Sequence, residues 1–190
     1  MIKSKKLIVA SIIILILFLL FGVFHVHEKI LKMIYPKEYS EFVEKYSTEY
    51  NVNSNLVYAV IKAESNFDIN AKSNKGARGL MQLMEETAKD INKKLENTIN
   101  EREISSKLNE PEYNINLGTK YLSILIEKYG NIEIALTAYN AGIGTVDNWL
   151  ENGTLSSDGS NIEKIPYKET NNYVRKILRD YKLYNQLYNE

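Results

Sequence analysis

Val57-Tyr-Ala-Val-Ile-Lys-Ala-Glu64-Ser65 is the stretch of this 190-residue chain on which the prediction of its fold rests. Val57, Val60 and Ile61 recur at the spacing of one α-helical face, and Glu64 falls next on that face. Burying a charged carboxylate is costly, so such a side chain tends to keep its proton near neutral pH. Structural ion pairs also bury carboxylates, and the spacing therefore leaves both a chemical and a structural interpretation of Glu64 open.

Helical patterns continue on both sides of this stretch, and no segment shows the sustained alternation typical of a strand. We predict helices over 38–50, 81–91, 111–129, 131–141, 145–150 and 166–188. The polar segments 68–79 and 154–165 are predicted loops, and 92–108 is a predicted surface excursion with short helices. The predicted class is all-α, with six to eight helices around one core.

Composition narrows the possible functions. About 160 residues follow the N-terminal region, which suits one domain. Without Lys3, Lys5 and Lys6, that part has 21 basic and 24 acidic side chains, so charge gives no support for nucleic-acid binding. The absence of cysteine excludes disulfides, cysteine nucleophiles and cysteine metal sites.

The N-terminal run 7–24 is apolar except for Ser11 and Gly22, and three lysines precede it. Its length is at the lower limit for a membrane-spanning helix and exceeds the usual apolar core of a signal peptide. We predict an uncleaved signal anchor over 1–27, with a cleaved signal peptide as the alternative, then a linker over 28–37 and a folded domain over 38–190. The short basic N-terminus favours a domain outside the cytoplasm.

His25 and His27 lie two residues apart beside this segment. A metal site is one interpretation of the pair, but interfacial side chains are the simpler one. We predict neither a metal nor an organic cofactor.

Three short patterns carry groups suited to a polymeric polar substrate: Glu64-Ser65, Gly79-Leu-Met-Gln82-Leu-Met84 and Ala138-Tyr-Asn140-Ala-Gly142. Glu64 as a protonated acid would serve the cleavage of a glycosidic bond. Gln82 offers donor and acceptor groups that match sugar hydroxyl and acetamido groups. Met84 offers a soft apolar surface, and Asn140 can donate to a substrate carbonyl.

Together and in this order, the patterns resemble the transglycosylase SLT domain of lytic transglycosylases, which has a lysozyme-like α fold related to goose-type lysozyme. The resemblance covers about residues 39–181. Besides the three patterns, it rests on Ala63-Glu-Ser-Asn-Phe67, Ser73-Asn-Lys-Gly-Ala77, Pro111-Glu-Tyr-Asn114-Ile115, Gly118-Thr-Lys-Tyr-Leu122 and Ile165-Pro-Tyr-Lys-Glu169-Thr170 before Tyr173-Val174.

By this resemblance, Glu64 is the catalytic acid and base. The positions that line the groove or support the acid are Ser65, Gln82, Met84, Tyr139, Asn140, Glu169 and Tyr173. Tyr139 is expected to hydrogen-bond Glu64 or to position the charge that develops near it. Glu169 also fits a purely structural role at the positive N-terminal end of a helix.

The resemblance implies cleavage of the β-1,4 bond between N-acetylmuramic acid and N-acetylglucosamine in peptidoglycan, with a 1,6-anhydromuramic acid end as product. Together with the anchor predicted from the N-terminal run, we expect a protein that is held at the cell membrane, faces the cell wall and acts on glycan strands. The alternatives are a muramidase that hydrolyses the same bond, for which Asp68 or Asp147 would have to supply a second carboxylate, and a non-catalytic wall-binding component of an envelope machine.

Overall fold

The helix that carries Glu64 spans Ser54–Glu64 in the computed structural model and is called α2 here. The side chain of Asn53 caps it by accepting a hydrogen bond from the Asn55 backbone amide at 2.9 Å. Every residue from Asn55 to Ile61 is buried, so the expectation of one buried face was too narrow. Neighbouring elements cover this helix on several sides, and Glu64 is its last residue.

The structure describes residue 18 and residues 21–22, 25–95 and 99–188. The chain divides into two units, Met1–Pro36 and Lys37–Glu190. In the second unit, the described residues form eight α-helices and a 3-10 helix over Ile162–Lys164. The other helices are α1 (Ser40–Glu49), α3 (Glu85–Lys94), α4 (Glu101–Lys107), α5 (Pro111–Tyr129), α6 (Ile132–Ala141), α7 (Ile143–Glu151) and α8 (Lys168–Tyr188).

The all-α prediction is confirmed. In the described residues, β-type backbone pairing is limited to two isolated bridges, from Arg78 to Lys72 and from Arg78 to Leu83. Helix α2 packs against α1 and α8, while α5 packs against α1, α3 and α6. Helix α6 also contacts α7 and α8. The carboxyl ends of α2 and α6 and the first two turns of α8 carry five of the predicted site residues: Glu64, Tyr139, Asn140, Glu169 and Tyr173.

The predicted helix over 81–91 begins four residues later, at Glu85. Residues 78–83 instead form a turn, in which the backbone groups of Arg78 and Leu83 exchange hydrogen bonds of 3.0 Å. Gln82 adopts a left-handed φ of 47° within this turn. Tertiary hydrogen bonds therefore override the helical pattern of the sequence here.

Asn114 on α5 holds this turn in place. Its amide donates to the carbonyl oxygens of Arg78 at 3.0 Å and Leu108 at 2.8 Å, and it accepts from the Met81 backbone amide at 2.8 Å. The side chain is 1% exposed. A Cβ on Gly79 would overlap the Leu108 carbonyl oxygen, so a residue without a side chain is required where these segments meet.

A second close approach lies beside the turn, where a Cβ on Gly118 of α5 would overlap the Met81 sulfur. Met81 is fully buried against this helix. The expected surface excursion also contributes to the interior, because Ile104 and Leu108 are fully buried in a cluster with Leu83. Apolar residues are too few in 92–108 for the sequence pattern to reveal this packing.

In the first unit, residues 25–34 are helical. The predicted anchor over 1–27 lies mostly outside the described residues, and among those that are described no helix has the length and apolar character needed to cross a membrane. Val26, Ile30, Met33 and Ile34 are exposed at the spacing of one helical face. Glu28 and Lys32 form an ion pair of 2.7 Å.

Replacing Asn114 with alanine should lower the free energy of unfolding by about 3 kcal/mol, because the buried backbone groups of Met81 and Leu108 lose this partner and the Arg78 carbonyl keeps only Leu83. Urea denaturation followed by circular dichroism would measure the change. The exposed Asn148→Ala on α7 is the control and should alter stability by less than about 0.5 kcal/mol. Equal stability of the two variants would contradict a clamping role for Asn114.

Candidate active site

Glu64 lies half-buried at the end of α2 and lines a cleft of ≈ 650 Å³. This volume falls within the usual range for small-molecule sites. Burial raises the pKa of Glu64 to about 7, although a hydrogen bond from Tyr173 and the charge of Lys176 both act to lower it. Near neutral pH the carboxyl group therefore exists in both protonated and ionised forms, so it can give up a proton and take one back.

Tyr173 supports Glu64 from α8. Its hydroxyl donates to Glu64 Oε1 over 2.6 Å, a contact that joins α2 to α8. Lys176, one turn further along α8, donates from Nζ to the Ala63 carbonyl oxygen at 3.2 Å. Both groups favour the ionised form of Glu64, since a hydrogen-bond donor and a cation stabilise a carboxylate.

Tyr139 lines the same cleft, but its hydroxyl donates to the Met81 carbonyl oxygen at 2.9 Å. The hydroxyl proton of Tyr139 is therefore directed to Met81 rather than to Glu64. Its ring packs against Tyr121, with centroids 5.1 Å apart. Burial, and then the charge of Glu64, hold the pKa of Tyr139 well above its ordinary value, which places the phenol within the electrostatic field of the acid.

Ser65 lies outside the lining of the cleft. Its hydroxyl donates to the Leu80 carbonyl oxygen at 2.8 Å and approaches that of Ile61 at 3.2 Å. It thus ties the end of α2 to the turn that carries Met81 and Gln82. This geometry gives Ser65 a supporting position rather than a ligand-binding one.

Gln82 and Asn140 present complementary amide groups to the cleft. The amide nitrogen of Gln82 donates to the carbonyl oxygens of Ala71 at 2.9 Å and Gly79 at 3.0 Å, so its oxygen is the group that remains for a ligand. Asn140 accepts from the Thr170 hydroxyl at 2.7 Å, which leaves its amide nitrogen as a donor. A ligand with both acceptor and donor groups fits this pair.

Met84 and Glu169 complete the predicted set, and both line the cleft. Met84 is 44% exposed, and Glu169 is an exposed carboxylate in the first turn of α8. Of the predicted residues, Glu64, Gln82, Met84, Tyr139, Asn140 and Glu169 therefore share one cleft, while Ser65 and Tyr173 support it.

Asp68 and Asp147, the other carboxylates considered, lie away from this lining. Asp147 pairs with Lys128 and accepts from the Tyr129 hydroxyl, both at 2.9 Å. Asp68 accepts from the Asn70 backbone amide at 2.9 Å within its own loop. Among the described residues, the acidic groups of the cleft are Glu64 and Glu169.

Several lining residues were not singled out from the sequence as site residues: Ser73, Asn74, Lys75, Ala77, Ala141, Tyr167 and Thr170. Most belong to short polar loops, where serine, asparagine and lysine are common for reasons of solvation and turn geometry. Their spacing gives no signal of a site. All seven nevertheless lie within the motifs that carry the family resemblance, and those motifs were the hint available.

In the described part of the chain, no group of three or more histidine and acidic side chains converges as a metal site would require. The cleft instead combines a half-buried carboxyl group of near-neutral pKa with amide, hydroxyl and apolar side chains. Fold and site together define an all-α domain built around an acid at the mouth of a polar groove.

Comparison with known proteins identifies the family. The transglycosylase SLT domain matches residues 41–160, and the chain belongs to that family. Soluble lytic murein transglycosylase from Salmonella typhimurium is 36% identical over 146 residues, which cover 76% of this chain and 22% of that protein. Membrane-bound lytic murein transglycosylase C from Yersinia pestis is 39% identical over 118 residues, covering 57% and 32% respectively.

Among solved structures, an inactive mutant of lytic transglycosylase Slt from Pseudomonas aeruginosa superposes with a TM-score of 0.75 and 34% identity. The match covers 84% of this chain and 26% of that one. The chain thus spans about a quarter of the length of the Salmonella and Pseudomonas relatives. The all-α fold and the family are shared, and each of these relatives extends beyond the common part.

Glu64→Gln should stabilise the protein at high pH and leave stability unchanged at low pH. Below about pH 4 both the folded and the unfolded chain hold this proton, so there is no difference. As pH rises from the ordinary glutamate value to about 7, the unfolded chain ionises first and the wild type loses stability. At pH 8 we expect the variant to be more stable by roughly 2–3 kcal/mol.

Urea denaturation at about pH 4 and pH 8 measures this effect, with the exposed Glu169→Gln as a control for loss of a carboxylate at the cleft. An equal effect of Glu64→Gln at both pH values would contradict the raised pKa.

Proposed function

We propose that this protein is a lytic transglycosylase that cleaves the β-1,4 bond between N-acetylmuramic acid and N-acetylglucosamine in peptidoglycan. The observation that carries the proposal is the half-buried Glu64, whose pKa of about 7 suits an acid that must later act as a base. Membership of the family and the names of the relatives support the substrate class. The Pseudomonas relative is described as inactive when a glutamate is replaced by glutamine.

In the proposed mechanism, Glu64 first donates its proton to the glycosidic oxygen as the bond to the anomeric carbon of N-acetylmuramic acid breaks. The resulting carboxylate then accepts the proton of the C6 hydroxyl of the same sugar, whose oxygen attacks the anomeric carbon. Glu64 regains its proton, the product carries a 1,6-anhydro ring, and no water is consumed.

The surroundings of Glu64 are suited to both steps. Burial favours the protonated acid that the first step needs. The hydrogen bond from Tyr173 stabilises the carboxylate that exists between the steps, so the acid can release its proton without facing the full cost of a buried charge. Ser65, Gln82, Met84, Tyr139, Asn140 and Glu169 are proposed to support the acid or to hold the sugar.

Because the nucleophile belongs to the substrate, this mechanism needs one carboxylate where ordinary glycosidases use two. A second candidate function is hydrolysis of the same bond, because Glu169 is an exposed acidic group in the same cleft. If it held a water below the anomeric carbon, the enzyme would be a muramidase that hydrolyses the same bond. A non-catalytic component of an envelope-spanning machine is the remaining alternative.

We further propose that residues 1–27 anchor the protein in the cell membrane, with residues 38–190 facing the cell wall. The exposed apolar face of Val26, Ile30, Met33 and Ile34, at the end of the anchor and in the linker, supports association of the N-terminal unit with a lipid surface. A membrane-bound relative supports such a location for a family member. Peptidoglycan strands are the proposed partner, and no nucleic acid is expected.

The proposed reaction predicts that purified peptidoglycan incubated with the full chain releases muropeptides ending in anhydromuramic acid. Mass spectrometry distinguishes these from hydrolysed ends, which are heavier by one water. Glu64→Gln should abolish release while the variant remains folded, because glutamine has no proton of suitable acidity. Hydrated reducing ends would identify a muramidase, and release by Glu64→Gln at the wild-type rate would refute the role of this acid.

Tyr173→Phe should move the alkaline limb of the activity–pH profile to higher pH. Removing a hydrogen bond that stabilises the ionised form raises the pKa of Glu64, so the acid stays protonated further into the alkaline range. The plateau rate should fall about tenfold, because the carboxylate between the two steps loses a donor. A limb that stays in place or moves to lower pH would contradict this account.

A further inference from the structure

Within 37–95 and 99–188, large hydrophobic side chains are exposed at two positions, Met84 at 44% and Tyr167 at 54%. Both line the cleft that contains Glu64, although they come from loops far apart in the sequence. Single exposed apolar residues are ordinary, but the convergence of both on one cleft points to a ligand with an apolar surface.

Although Tyr167 is exposed, its ring and its backbone both contact neighbouring residues. Its ring and that of Trp149 meet in an edge-to-face arrangement, with centroids 4.9 Å apart and planes at 77°. Trp149 is itself 7% exposed, and the carbonyl oxygen of Tyr167 accepts from the Asn171 backbone amide at 2.9 Å. The contact with the buried Trp149 and the hydrogen bond to the Tyr167 backbone therefore constrain a tyrosine that lines the cleft and remains 54% exposed.

The rest of the lining shows which ligand would cover this ring. Ser73, Gln82, Asn140 and Glu169 line the same cleft with hydroxyl, amide and carboxylate groups. A wholly apolar ligand would leave these groups without partners in a desolvated site, which is unfavourable. A pyranose ring presents aliphatic C–H groups on its faces and hydroxyl groups around its edge, and so matches both parts of the lining.

We propose that Tyr167 is a platform on which one sugar ring of the glycan stacks, with Trp149 as the positioning residue that holds its plane and Met84 as a second apolar contact. This inference rests on the proposed function for the presence of a glycan in the cleft. It assigns a substrate-binding role to Tyr167 and gives Trp149 a role other than filling the core. In contrast, Tyr58 and Tyr184 are fully buried and stack on each other in the interior.

Trp149 provides the means of testing the proposal, because it is the only tryptophan in the chain. A sugar that covers Tyr167 changes the surroundings of the neighbouring indole, so tryptophan fluorescence should report binding. The experiment uses the full chain in detergent with Glu64→Gln as the parent, so that no turnover occurs. The probe is the β-1,4-linked pentamer of N-acetylglucosamine, titrated by fluorescence and by calorimetry.

We expect saturable binding to the parent with a change in fluorescence. Tyr167→Phe should bind within twofold of the parent, because it keeps the ring. Tyr167→Ala and Tyr167→Leu should bind about tenfold more weakly and lose most of the fluorescence change, because neither offers a flat face. Tyr181→Ala, which removes a half-buried tyrosine of α8 outside the cleft lining, is the control and should bind as the parent does.

Thermal unfolding of each variant separates loss of the platform from loss of the fold. Binding of Tyr167→Ala and Tyr167→Leu with the affinity of the parent would overturn the proposal, as would a parent that shows no saturable binding. The outcome is distinct from that of the proposed function, which is judged by the anhydro products of the wild type. If the wild type forms the anhydro products but Tyr167→Ala does not weaken pentamer binding, the platform is refuted and the proposed function stands.

Discussion

The 2.6 Å hydrogen bond between the Tyr173 hydroxyl and Glu64 joins the two helices from which the site is built. Helix α2 is buried almost to its end, and α8 packs along it. Glu64 is placed where the buried helix opens into the cleft, so its surroundings are apolar enough to raise its pKa but include a donor that stabilises its charge. The Ser65 hydroxyl, which donates to the Leu80 carbonyl oxygen, ties the end of α2 to the turn that carries Gln82.

The balance between burial and hydrogen bonding explains how a single carboxyl group can serve two successive proton transfers. Burial alone would favour the neutral form, whereas strong hydrogen bonding alone would favour the carboxylate. With the pKa of Glu64 near neutrality, neither form is strongly disfavoured. Tyr139 contributes through the shape of the site, because its hydroxyl secures the Met81 carbonyl beneath the cleft.

Much of the fold and the identity of the acid could be predicted from the sequence, because both depend on periodicity and on local motifs. The apolar spacing ahead of Glu64 indicated its helix. Asn53 caps the start of α2 and Gly130 caps the end of α5, as these residue types usually do. The helix predicted from Met81 failed, because Asn114 recruits the Met81 amide from another part of the chain. No local pattern records such a contact.

The site shows the same division between local and long-range information. Glu64, Gln82, Met84 and Asn140 belong to short motifs and were identified from them. Ser73 and Lys75 also belong to a family motif, but their place in the cleft depends on how their loop packs beside α6 and α8, which the motif does not show. The supporting role of Ser65 likewise depends on its bond to the Leu80 carbonyl, which spacing along one helix does not reveal.

The close approaches at Gly79 and Gly118 determine where this groove can be redesigned. At both positions the space for a side chain is already taken, by the Leu108 carbonyl and the Met81 sulfur respectively. A library that varies the groove to accept new saccharides should therefore keep these two glycines fixed. Diversity is better placed at exposed lining positions such as Lys75, Met84 and Tyr167, where side chains can change in size without displacing the backbone that holds the acid.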